Sequence, residues 1–518
     1  MAESSSWHDT LEIRPRPNQQ PPTRDTALPE ATITATAPLA AIYASNTLQN
    51  TSGSSDIRIL LLAPSRNPHA NLSGALTVIS LPSSEQFAYE ALSYTWDAPL
   101  HSHGQYLGVG TLWIEEIPVC ITGNLSAALK RLRQRDRVRA LWVDAVCMNL
   151  EDHFERATQV HRVPEIFGSA VRVIAWLGGD YESGGGGVGE AFVLARSVSR
   201  EMMDWDGDGD DGEDGSGSLE DGDVRQLWEC VMQRRFFQRR WVLGELACAD
   251  KILFVCGAAS ISDQDLLAYI DGAHWSTLTD SFQSSDLVRF FDRLRGMKSQ
   301  SILDILYTFQ NFGCRDDRDR IAAFMGVFKG SMGKFRMSYD VECEELYFLF
   351  AGCLMEDRNC VPQLLQAAAF QAKERFETGD SRLQTWVPDW RMKVPKPAKN
   401  FWWGRGGERS GSMDFQTLNS GVLRAELPFY GYIHKGFSQT EMAYDENAIL
   451  PIDGDCICGP MWSDFEIGEE VEEEDVEACY LVLRPADGGC YTIVGFCGVF
   501  LEGFVSVGEN AVKEFWIA

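Results

Sequence analysis

The stretch 140-ALWVDAVCMN-149 decides how the rest of the chain is read. Ala140, Leu141, Trp142, Val143, Ala145 and Val146 are apolar, and the exception among them is a carboxylate, Asp144. Such a run has few polar positions on either face, which suits a buried strand at the centre of a parallel sheet covered by helices. Ligands of such sheets gather at the carboxyl ends of the strands, and Asp144 stands near that end. A buried acid at that place is a candidate functional residue.

The flanking segments alternate between strand and helix patterns. Upstream, TGNLSAALKRLRQ sets Leu125, Ala128, Leu129 and Leu132 on one helical face, with Thr122 or Asn124 able to cap the start. The opposite face carries Lys130, Arg131, Arg133 and Arg135, which reads as a solvated face or as a phosphate-binding one. Downstream, ERATQVHRVPEIFGSA repeats at helical spacing, with Pro164 expected to kink or split it, and VRVIAWLG follows as another apolar strand. Earlier still, IRILLLAP, GALTVISL and YEALSYTW are strand patterns, and LWIEEIPVC reads as a strand pair or hairpin. Alternation of this kind predicts an α/β fold with a parallel sheet flanked by helices.

With 518 residues, 45% of them apolar, the chain can bury a large core and should hold more than one domain. Its formal charge of −29 argues against nonspecific binding of nucleic acid or anionic membrane, both of which need a basic footprint. The start MAESSSWHDT carries no signal pattern, and no apolar run approaches the roughly 18 to 20 residues of a membrane span, so a cytoplasmic protein is expected. Fourteen cysteines without a paired CxxC framework read as reduced thiols, and the CxC at Cys456 and Cys458 lacks the further ligands of a zinc site. No metal or bound cofactor is predicted.

The expected organisation has four parts. Residues 1–55, rich in Pro, Ser, Thr and Gln, read as a disordered arm. Residues 56–260 hold the α/β domain, including the strand ILFVC and an acidic, Gly-rich insertion at 179–223 around a short helix, Glu190 to Met203. Residues 261–400 read as helical and contain CRDDRDR and the loop WVPDW; residues 401–518 read as a small β-rich module. Two motifs in the insertion are weak. Gly184, Gly186 and Gly189 satisfy GxGxxG inside a low-complexity patch, and Asp204, Asp206, Asp208 and Gly209 copy the opening of a calcium loop whose twelfth position is Gly215 instead of glutamate. The acidic runs Asp204 to Asp223 and Asp464 to Glu477 read as solvated segments.

Taken in order, several motifs resemble the heterokaryon incompatibility (HET) domain. They are Tyr89, Ala91, Leu92, Ser93, Tyr94 and Trp96; Thr122, Asn124 and Leu125; Leu141, Trp142, Asp144, Cys147 and Asn149; Glu155, Arg156, Gln159 and Val160; and Ala170, Val173, Trp176, Leu177 and Gly178. The likeness continues through Arg240, Trp241, Val242, Glu245, Arg318, Asp319, WVPDW and YLVLRP. The chain departs from the family pattern at Asp97 (Gly in the family), Leu150 (Gln), Val163 (Met), Phe167 (Tyr) and Gly244 (Gln). Losing both glutamines would remove two amides able to bond a ligand or each other.

The resemblance implies an effector of nonself recognition and cell death, and a looser likeness to TIR domains, whose parallel-sheet fold hydrolyses NAD in several lineages. There the catalytic acid is a Glu four residues after a Trp, a spacing that Trp241 and Glu245 share. Cleaving a nicotinamide glycosidic bond needs a carboxylate beside the ribose more than acid catalysis, because the leaving group departs from a cation. Glu245 is therefore the candidate catalytic residue. Tyr94 and Trp96 are candidates to stack on the substrate, with Asp144 and Asn149 to bond its ribose or orient a loop; NAD would be a substrate, not a cofactor. Each residue has a structural alternative: Glu245 paired with Arg239 or Arg240, Trp96, Trp142 and Trp176 as core, Asp144 as a helix cap, Arg318 and Asp319 as a salt bridge. The whole domain has one too, as a noncatalytic module that recruits incompatibility or signalling proteins or further copies of itself.

Overall fold

The computed structural model describes residues 37–48, 55–81, 88–96, 109–179, 188–203, 231–275, 286–297, 300–325, 327, 335–357, 360–378, 382–393, 414–417, 423–432, 442–444, 456–463, 477–486, 490–500 and 512–517. The acidic runs up to residue 476, the calcium-like loop, Asp97, and Gly184 and Gly186 of the GxGxxG lie outside them.

The chain begins its regular structure with helix α1 (Ala37–Ser45), followed by strands β1 (Asp56–Leu62), β2 (Leu72–Ser80), β3 (Glu90–Tyr94), β4 (Val109–Ile114) and β5 (Ile117–Thr122). Helix α2 (Gly123–Leu132), β6 (Arg139–Trp142), α3 (Asp144–Cys147), α4 (His153–Ser169), β7 (Arg172–Trp176) and α5 (Val188–Met203) come next. Helix α6 (Arg240–Cys248), β8 (Ile252–Cys256), β9 (Ala259–Ser262) and α7 (Asp263–Trp275) complete this part. The nine strands form one sheet in the order β5-β4-β2-β1-β6-β3-β7-β8-β9.

The expected α/β architecture is present, and the parallel portion is its centre: β6, β3, β7 and β8 run parallel, as far as the pairing Trp176 to Val255. Antiparallel pairs flank it, β1 with β6 and β2 on one side and β8 with β9 on the other. β4 and β5 form the expected hairpin. Its turn, Glu115 and Glu116, has positive φ at both positions (48° and 70°), the two-residue geometry whose twist matches the strands it joins.

Three expectations are corrected here. The run 140–149 is not one strand: β6 stops at Trp142 and Asp144 opens α3. Its backbone closes helical turns instead, with the Cys147 N–H on the Val143 carbonyl (2.7 Å) and the Met148 N–H on the Asp144 carbonyl (3.1 Å), and burial on all sides leaves no periodicity to tell strand from helix. Nor is the amino-terminal arm featureless to residue 55. In α1, Leu39, Ile42 and Tyr43 are buried, and the Tyr43 hydroxyl donates to the carbonyls of Val146 (3.2 Å) and Met148 (2.8 Å). Pro164 does not split α4, which runs unbroken from an Asp152 cap that accepts the N–H groups of Phe154 and Glu155.

The next region is helical as expected, with helices at Asp286–Gly296, Ile302–Thr308, Asp319–Ala322, Cys343–Met355 and Val361–Thr378. A seven-stranded, mainly antiparallel sheet follows, spanning strands from Asp414–Thr417 to Val512–Ile517. Among the described residues no helix is long and apolar enough to cross a membrane.

Candidate functional site

Strand β3 organises the site because its two ends are held differently. At its amino end Glu90 accepts from Arg139 on β6 and Arg172 on β7, the strands on either side, and these guanidiniums outweigh burial and hold its carboxyl below the usual range. One acid thus fixes the register of three parallel strands. At the carboxyl end the side chains are Ser93, Tyr94 and, just beyond the strand, Trp96. Successive strand residues face opposite sides of a sheet. Ser93 and Tyr94 accordingly reach different acids: the Ser93 hydroxyl donates to Oε2 of Glu245 on α6, and Tyr94 bonds Asp144 at the start of α3.

The two acids differ in how fully they are occupied. Both oxygens of Asp144 are bonded, Oδ1 by the Ala145 N–H (2.7 Å) and Oδ2 by the Trp96 indole N–H (2.7 Å), with Tyr94 as a further partner. Glu245, only 7% exposed, has Oε2 on Ser93. Among the described residues no hydrogen bond reaches its Oε1. Asp144 is a satisfied acid, and Glu245 keeps one oxygen for another group.

Arg239, immediately before α6, acts on both. Its guanidinium donates to the Tyr94 carbonyl and favours the ionised form of each acid. Burial opposes it and is the larger effect. It pushes the Asp144 carboxyl above its usual value and, with the Asp144 charge adding to it, raises Glu245 to about 7. Tyr94, fully enclosed, is pushed well above the usual phenol value by burial and then by Asp144. A carboxyl poised near neutrality with one open oxygen can take up or release a proton at physiological pH.

The structure therefore brings Glu245, Asp144, Tyr94 and Trp96 together. The backbone N–H of Asn149 donates to Glu155 Oε1 (2.7 Å). Glu155 is held by Arg58 of β1 through two bonds (2.6 and 3.0 Å), both side chains being almost wholly buried, and Arg58 also donates to the Asn46 and Cys147 carbonyls. Of the two arginines considered as partners for Glu245, Arg240 is structural, donating to the carbonyls of Arg320 (2.8 Å) and Phe309 (2.9 Å). Trp142 and Trp176 are core; Trp176 donates to Asn124, whose amide donates to the Thr95 carbonyl and so braces the segment carrying Trp96.

Three further groups of residues have defined surroundings. Arg318 pairs with Asp316 (2.9 Å), whereas buried Asp319 accepts from Tyr339 (2.6 Å) and from Trp241, so Arg318 and Asp319 are not one salt bridge. On the basic side of α2 and the residues after it, Lys130, Arg131 and Arg135 are exposed, as a solvated face requires, while Arg131 also holds the carbonyls of Gly257 and Ala258 and Arg133 those of residues 67, 68, 70 and 71. At Gly244 there is no room for the glutamine of the family pattern, since a Cβ there would lie 2.3 Å from the Ala323 carbonyl oxygen. The other departures fill the core: Leu150 packs against it, Val163 is buried, and Phe167 meets Trp142 edge-on at 5.4 Å.

The sequence assigns Ser93 no role in the site, and Arg239 only the alternative of an ion pair with Glu245. Alternation along β3 shows which of its residues share a face, but only the packing of α6 shows which of them meets Glu245. Among the described residues no group of three or more His, Cys, Asp or Glu side chains could hold a metal ion.

Comparison with known proteins places these residues in context. Residues 89–245, from the start of β3 to Glu245 itself, match the family model described as heterokaryon incompatibility protein (HET). The chain is 26% identical over 227 residues to heterokaryon incompatibility protein 6, OR allele, of Neurospora crassa; the match covers 38% of this chain and 32% of the relative. The chain thus spans about a third of that relative's length. No solved structure matches the chain.

Proposed function

Because residues 89–245 form a heterokaryon incompatibility (HET) domain, we propose that the chain acts in heterokaryon incompatibility and that the domain is an effector that hydrolyses the nicotinamide glycosidic bond of NAD. The observation that carries the reading is the open oxygen of Glu245, on a buried carboxyl near neutrality, at the carboxyl end of the parallel strands. In the reaction the bond from ribose C1′ to the nicotinamide nitrogen breaks and its electron pair leaves with nicotinamide, which becomes neutral. Water adds its oxygen to C1′, and its proton passes to Glu245 Oε1 and then to solvent. The products are nicotinamide, ADP-ribose and a proton. The negative charge of ionised Glu245 stabilises the oxocarbenium-like transition state.

In this reading Asp144 holds Trp96 and Tyr94 as one wall of the site, and the closed cluster is a resting state that opens when copies of the chain, or a partner in incompatibility signalling, engage it. The test incubates the full chain with NAD over a range of protein concentrations, beside Glu245→Ala. Nicotinamide release that depends on Glu245 is expected. Release that survives the substitution removes the residue from its role, and no release at any concentration favours a noncatalytic interaction module.

A further inference from the structure

Glu245 is approached by Ser93 from β3, Arg239 from the residue before α6, Asp144 from α3 and the Tyr94 ring from β3. Helix α4 and the helices at 286–296 and 319–322 also pack on α6, and none adds a charge among those acting on Glu245. Of these neighbours, the Ser93 hydroxyl alone is bonded to the carboxyl. It is 1% exposed, so it has no competing solvent partner, and its hydrogen bond engages one oxygen and leaves the other without a hydrogen bond among the described residues. The plane of a carboxyl without a partner can turn broadly about its last torsion; a hydrogen bond to one oxygen fixes that plane and with it the direction of the other oxygen.

We propose that Ser93 is the positioning residue of the site, binding Glu245 Oε2 so that Oε1 is the oxygen presented to the substrate. The inference rests on the reaction proposed above for the effect on turnover, but the contact itself is independent of it. A hydroxyl that donates to a carboxylate favours the ionised form. Ser93 therefore both aims Glu245 and partly offsets the burial that keeps it protonated.

The test uses the full chain as wild type, Ser93→Ala and Ser93→Thr. With NAD, Ser93→Ala should lower kcat on the order of tenfold to a hundredfold with little change in KM. It should move the acidic limb of the rate profile upward by about one pH unit, and Ser93→Thr, which keeps the hydroxyl, should recover most of both. A loss in kcat with an unmoved pH profile, or equal losses in both variants, overturns the assignment. A second measurement needs no turnover: the Glu245 titration is read from the pH dependence of unfolding, each chain being compared with its own Glu245→Gln partner. The midpoint should rise in Ser93→Ala. A fixed midpoint refutes the role of Ser93 even if NAD is cleaved, while a raised midpoint with no nicotinamide from wild type refutes the reaction and leaves the Ser93 contact standing.

Discussion

Replacing Glu245 with glutamine should stabilise the protein increasingly as pH rises above about 4.5, with the gain levelling off above about pH 7. The carboxyl is raised from 4.5 to about 7 by burial, so the folded state holds its proton where the unfolded chain has released it. A group raised in this way supports the fold fully below its unfolded pKa, and that support is lost as pH rises through the folded value. Each pKa unit corresponds to about 1.4 kcal/mol, which places the full cost of ionising Glu245 at about 3 kcal/mol. Glutamine keeps the shape and an acceptor for Ser93 but never ionises. Between about pH 5.5 and pH 8.5 the wild type should therefore lose about 2 kcal/mol relative to Glu245→Gln. Urea unfolding of both chains across that range measures the difference, and contributions from Asp144 and other shared groups largely cancel. Curves that stay parallel would mean that Glu245 titrates as an ordinary carboxyl, and the argument for a poised acid would fail.

At Gly244, alanine should lower stability by about 1 to 3 kcal/mol, because its methyl must displace the Ala323 backbone; the glutamine of the family pattern should do no better, and denaturant midpoints decide it. Converting Glu155 to Gln leaves Arg58 charged and enclosed, with an expected loss of about 3 to 5 kcal/mol, whereas a joint change to Met at 58 and Leu at 155 should recover most of it in the same assay.

Much of the α/β architecture could be read from apolar periodicity, because β6, β3, β7 and β8 are enclosed on both faces and their sequences carry that signal. The antiparallel flank was harder. That β1 lies beside β6 is decided by long-range pairing, which no local pattern encodes. Helix α1 is illegible for another reason: APLAAIYAS is apolar all round, so it shows no amphipathic face, and its burial depends on Tyr43 finding carbonyls more than a hundred residues away. Within the site, Glu245 and Asp144 were identifiable as acids in apolar surroundings. Which of them has a free oxygen follows from the placement of the Trp96 indole and the Ser93 hydroxyl, and hydrogen-bond geometry of that kind is not written in spacing.

The position of β1 between β2 and β6 bears on how this protein can be dissected. Residues 89–245 match the family, yet a polypeptide cut to those limits would lose the strand that covers β6, the guanidinium that neutralises Glu155, and the phenol that grips α3. Its sheet would end on an open row of N–H and carbonyl groups, a template for pairing with other copies. Such a fragment would be expected to aggregate, and its failure to act on any substrate would report a severed sheet, with no bearing on the chemistry of the intact chain.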